Sequence, residues 1–96
     1  MSKNDSRSLQ DAMAGLLRTL GLDSRLEQYR VLEEWPAIVG EHISRVATAE
    51  RIENGKLVVR VSSASWRQEL VFLKKELIAR INAAFHKDIV NDIIFK

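Results

Sequence analysis

Six basic side chains in the second half of this 96-residue chain could do chemistry by their type and spacing: Arg51, Lys56, Arg60, Arg67, Lys74 and Lys75. That chemistry would be charge pairing with phosphates, which displaces counterions and gives sequence-tolerant, salt-sensitive binding to nucleic acid. If about three phosphates are engaged, single-strand affinity should fall with salt at a log–log slope of about −2. Glu53, Glu69 and Glu76 lie close enough in sequence to neutralise part of such a patch. The same cations also suit an ordinary solvated surface, and both readings stay open at this stage.

Other chemistry has little to stand on. His42 and His86 are far apart, with no recognisable metal-ligand spacing around either. Glu33 and Glu34 occupy adjacent helical positions that point in different directions, so they do not form a paired-carboxylate site. No nucleophile elbow, phosphate-cradling glycine loop or H-E-x-x-H is present. An enzyme is therefore not expected, and neither a metal nor another cofactor. Trp35 and Trp66 could stack on bases, but both fall in phase with apolar helical stripes, and core packing explains them better.

Composition sets the outer limits. The chain is 46% hydrophobic with one Pro and four Gly, which describes a folded globule of one domain. We expect a disordered polar N-terminus over residues 1–7 and a single domain over 8–96. It contains no cysteine, as suits a reducing compartment. No apolar leader opens it and no run approaches a membrane span, so a cytoplasmic location is expected. The net charge of +2 is small, but it is unevenly spread. Residues 1–50 carry six Lys/Arg against eight Asp/Glu, and residues 51–96 carry nine against five. A basic face, if there is one, belongs to the second half.

The elements that must position these residues follow from periodicity. Ser8 can cap a first helix bearing Leu9, Met13, Leu16, Leu17 and Leu20, stopped by Gly21. Asp23 or Ser24 can cap a second helix carrying Leu26, Tyr29, Leu32 and Trp35. Pro36 predicts a break or kink beside Trp35, and Gly40 an end or a close backbone approach, with one more turn over residues 41–45. A strand over 47–53, the Asn54-Gly55 turn and a strand over 56–62 form a hairpin. Regular two-residue pairing places Arg51 opposite Val58, Ala49 opposite Arg60 and Thr48 opposite Val61. Thr48, Ile52, Leu57, Val59 and Val61 would then face the helices, with Glu50 as the odd member. Ala49, Arg51, Glu53, Lys56, Val58 and Arg60 would face outward. Ser63 or Ser65 opens a long third helix, with Ser65 and Gln68 at capping-box spacing. Its stripe is Trp66, Leu70, Leu73, Leu77, Ile81 and Phe85. A last strand covers Ile89 to Phe95.

Three stretches occur in an order that is hard to reach by chance. They are Trp35-Pro36-Ala37-Ile38-Val39-Gly40, then N-G-K-L-V-V-R-V from Asn54, then S-x-S-W-R-Q-E-L from Ser63. Over about Leu26 to Phe95 the chain resembles the DciA family of bacterial proteins, once catalogued as a domain of unknown function. In it Trp35, Pro36, Gly40, Asn54, Gly55 and Trp66 read as a signature that holds the fold. Members of that family are associated with loading or operating the replicative DNA helicase. The element order αα-ββ-α-β predicts an α+β fold with a three-stranded sheet packed against helices on one face. That order is KH-like, and the resemblance points the same way. A nucleic-acid-binding KH domain clamps the backbone with a G-x-x-G loop. The glycines here are Gly15, Gly21, Gly40 and Gly55, so no such loop exists.

Two function classes therefore compete. In one, the resemblance implies a non-enzymatic accessory of the replicative helicase that binds DNA, single- or double-stranded, weakly through a basic face. In the other, the domain is a protein-interaction module with no DNA contact, working through its exposed first helix or the edge of the sheet. The expected state is a monomer or a weak homodimer. Longer members of the family carry sequence beyond this domain; if helicase contact depends on that extension, this chain would use the domain itself or lack the contact.

Overall fold

Gly21, with φ +72° and ψ 13°, sets off a helical arm from the body that follows. The computed structural model describes residues 3–96. Helix α1 spans Lys3–Leu20, α2 Leu22–Val39 and α3 Glu41–Val46. Strands β1 (Ala47–Glu53) and β2 (Lys56–Val61) follow, then α4 (Ala64–Phe72), α5 (Lys74–Phe85) and β3 (Asp92–Phe95). The sheet order is β1-β2-β3, with β1 antiparallel and β3 parallel to β2. This is the expected α+β arrangement with a three-stranded sheet.

The core lies between one sheet face and α2, α4 and α5. Ile52, Leu57, Val59, Val61 and Ile93 meet Val31, Trp35, Val39, Leu70, Leu77 and Ile81 there. Trp35 is 2% exposed, and its indole Nε1 donates to the Ala47 carbonyl at 3.0 Å. That bond ties the last turns of α2 to the start of the sheet and satisfies a buried donor. Trp66 packs half-buried against the same core. The stripe expected downstream of Ser63 does face inward, with Leu70, Leu77 and Ile81 fully buried.

Several local expectations fail, each for a physical reason. Residues 3–7, expected as disordered, begin α1, because no Gly or Pro interrupts the helical run before Ser8; residues 1 and 2 lie outside the described residues. Neither Asp23 nor Ser24 caps α2. Gly21 turns the chain at φ +72° instead, and the Asp23 carboxylate accepts from the adjacent Ser24 amide at 2.9 Å. Pro36 does not end its helix. It sits on the exposed side, where the carbonyl it leaves unpaired can meet water, and its own carbonyl accepts from Gly40 N at 3.0 Å.

The long third helix is two helices. Leu73 adopts φ −92° and ψ 1° and closes α4 before α5 restarts at Lys74. The cap is Ser63, whose Oγ accepts from Trp66 N at 3.2 Å; the Ser65–Gln68 pair plays no such part. The last strand is shorter than expected because the residues leading into it bond to a side chain. Asn82 Oδ1 accepts from both Ile89 N and Val90 N at 3.0 Å, while Asn82 Nδ2 donates to the Val90 carbonyl at 2.9 Å.

The hairpin is correct up to Arg51 and then shifts. Glu53 pairs with Lys56, Ile52 with Leu57 and Arg51 with Val58, but Ala49 pairs with Val59 and Thr48 with Arg60. Glu50 is the extra residue of a β-bulge. One added residue reverses which side chains face the core before it. Ala47 and Ala49 thus turn inward, and Thr48, expected inside, is exposed beside Arg60.

Candidate nucleic-acid interface

The sheet face away from the helices carries four cations and three carboxylates. Alternation along β2 directs Lys56, Val58 and Arg60 outward; pairing adds Glu53 and Arg51 from β1, and Asp92, Ile94 and Lys96 from the β3 side. Val58 and Ile94 form an apolar floor between two charged ends. Ile94 is 43% exposed, while Val58 is shielded by its neighbours to 4%.

At one end, Glu50 gathers the cations. Its carboxylate pairs with Arg60, with Lys96 at 2.7 Å and more distantly with Arg51 at 3.8 Å. Arg51 Nε also donates to Glu53 at 2.8 Å. The close ammonium of Lys96, joined by the Arg60 charge and opposed by partial desolvation, holds the Glu50 carboxyl below its ordinary value. At the other end Asp92 lies beside Lys56 in register and pairs with Lys74 at 3.2 Å. The Lys74 bond and the Ile93 amide hold the Asp92 carboxyl down in turn.

The six expected cations therefore do not form one patch. Arg51, Lys56 and Arg60 share the open sheet face, and Lys74 reaches its margin from the first turn of α5. Lys75 points into solvent and makes no ion pair among the described residues. Arg67 lies half-buried on α4, its Nε enclosed without a hydrogen-bond partner. Sequence reasoning missed Lys96, which joins the sheet face, and Glu50, which organises it. Glu50 was marked by one signal, a carboxylate at a position that alternation assigned to the core. Among the described residues no group of three or more His, Asp or Glu could hold a metal ion. No described helix is long and apolar enough to cross a membrane.

A second surface is apolar. Leu9, Met13, Leu16 and Leu20 of α1 are 67%, 51%, 53% and 59% exposed. The arm makes the molecule 58 Å long, with a radius of gyration of 16.7 Å against about 12.5 Å for a compact chain of this length.

Comparison with known proteins adds a family. The profile described as "Dna[CI] antecedent, DciA" matches residues 8–95. A UPF0232 protein of Mycobacterium bovis is 30% identical over 93% of this chain. Similar proteins of Mycolicibacterium smegmatis and Mycobacterium ulcerans are each 27% identical over the same share. The chain spans about half the length of these curated relatives, 46–48% of each.

Proposed function

From the premise that the chain belongs to the DciA family, a family associated with helicase loading, we propose that it is a non-enzymatic accessory of the replicative DNA helicase that holds DNA weakly across its open sheet face. One observation carries this reading: Arg51, Lys56, Arg60 and Lys96 share the sheet face opposite the helix-packed core. Four cations against Glu50, Glu53 and Asp92 leave a net charge of only +1 on that face. Binding should then be weak, sequence-tolerant and salt-sensitive, with a partner supplying avidity. The domain positions a strand and does no chemistry on it. Its working compartment is the cytoplasm, where the replicative helicase acts.

The test is a titration of labelled protein with short single- and double-stranded DNA at low and moderate salt, followed by amide chemical shifts. Salt-sensitive shifts over β1, β2 and β3 support the proposal. Their absence with both DNAs at low salt overturns it. A second reading, a protein-interaction module without DNA contact, is favoured by Glu50, which already occupies Arg60 and Lys96. Charge reversal of Arg51 and Arg60 separates the two, because it removes DNA binding and leaves an apolar protein contact intact.

A further inference from the structure

We propose that α1 is the seam of a homodimer, in which two copies pair these helices antiparallel about a twofold axis between Ala14 and Gly15. The outward residues of α1 follow a 4-3-4 spacing, Leu9, Met13, Leu16 and Leu20, which is the a/d pattern of a coiled coil. All four are more than half exposed. A helix whose apolar stripe meets water is marginal by itself, because helices in proteins are held mainly by burial of that stripe.

Three features identify the occupant as a second copy. First, the stripe is symmetric. In antiparallel register Leu9 packs on Leu20 of the other copy and Met13 on Leu16, so every a position meets a d position with no gap. Second, between Leu9 and Leu20 the flanking e and g positions are Gln10, Leu17, Ala12 and Thr19, all uncharged. Two copies therefore meet without like-charge repulsion. Within that stretch the charged residues Asp11 and Arg18 fall at f positions, away from the seam. Third, the area suits a reversible dimer. The stripe exposes on the order of 500 Å² per copy, short of the roughly 800 Å² of a standard interface. The exposed Leu22 and Leu26 beyond the turn add to it. An interface of this size falls among the weak, reversible ones, so the test spans low to high micromolar concentration.

The inference is independent of DNA binding, because α1 contributes nothing to the sheet face. Sedimentation equilibrium of the full chain, from low to high micromolar concentration, should show mass rising toward twice 11.0 kDa. Leu16→Glu should weaken self-association on the order of 100-fold, since a charge would enter the apolar seam from both copies. Its circular dichroism spectrum and melting temperature at low concentration should match the parent, because Leu16 is exposed in the single chain. The register is tested by disulfide formation, as the chain has no cysteine of its own. Leu9→Cys mixed with Leu20→Cys should cross-link, and Leu9→Cys alone should not, because antiparallel pairing sets its two sulfurs about 16 Å apart along the axis. A monomer at every concentration overturns the proposal. So does a dimer that Leu16→Glu leaves intact, and cross-linking of Leu9→Cys with itself overturns the antiparallel register.

Discussion

Glu50 and Arg60 are ion-paired across the β1–β2 bulge, so the residue that breaks the hairpin register also neutralises the cation best placed to touch DNA. The carboxylate is a built-in brake on the basic face. Glu50→Gln should tighten short single-stranded DNA binding at low salt by roughly three- to tenfold and steepen its salt dependence. Fluorescence anisotropy at two salt concentrations measures both. Unchanged affinity would mean that DNA does not approach this end of the sheet.

The same carboxylates make stability pH-dependent. Glu50 and Asp92 ionise in the folded state below their ordinary values of 4.5 and 3.8. A depressed folded pKa gives stability that is complete above the unfolded value and is lost as pH falls through the folded one. The melting temperature should thus be level above about pH 5 and decline below 4.5. A Glu50→Gln, Asp92→Asn double variant should show a shallower acid decline, read by thermal melts across that range.

Trp35 stabilises through a single polar contact as well as its bulk. Trp35→Phe removes the donor to the Ala47 carbonyl and leaves that acceptor unpaired in the core, at a cost of about 1–3 kcal/mol. For a domain of this size that is a fall of roughly 4–8 °C per kcal/mol in melting temperature. A loss no larger than that of an exposed substitution would refute the role given to the indole N–H.

Asn82 clamps the approach to β3 with three hydrogen bonds to Ile89 and Val90. Asn82→Ala should cost about 2–3 kcal/mol, as the Val90 amide and carbonyl lose their partner while the Ile89 amide keeps its bond to the Lys87 carbonyl at 3.0 Å. Hydrogen exchange should quicken first at the Val90 amide, which has Asn82 as its partner. Uniform loss of protection would instead mean that the clamp is not local.

Gly55 and Gly21 both hold a positive φ, of +77° and +72°, but differ in their surroundings. A Cβ on Gly55 would lie 2.5 Å from Asn91 Nδ2, whereas none on Gly21 would meet anything within 4 Å. Each Gly→Ala change carries about 1–2 kcal/mol of backbone strain. Gly55→Ala should be the more damaging, because it must also displace the Asn91 amide. Chemical denaturation of the two variants makes the comparison.

What the sequence by itself determined is the element order, the apolar stripes and the hairpin turn. Each follows from a local rule: a period of 3.6 or 2, or Asn54-Gly55 tolerating positive φ. Tyr29 and Leu26, in phase with a helix, were legible as helical, but their exposure was not. Only the tertiary structure decided the bulge, since inserting Glu50 is favoured by Arg60 and Lys96, residues brought together by strand pairing. Trp35 could be assigned to the core from its phase, yet its partner Ala47 is set by how α2 crosses the sheet. The break at Leu73 and the Asn82 clamp arise likewise, because both depend on where α5 must lie to cover Leu57 and Ile93. The basic face is the clearest case: residue types announced six cations, and pairing across three strands left four on one surface with three carboxylates among them.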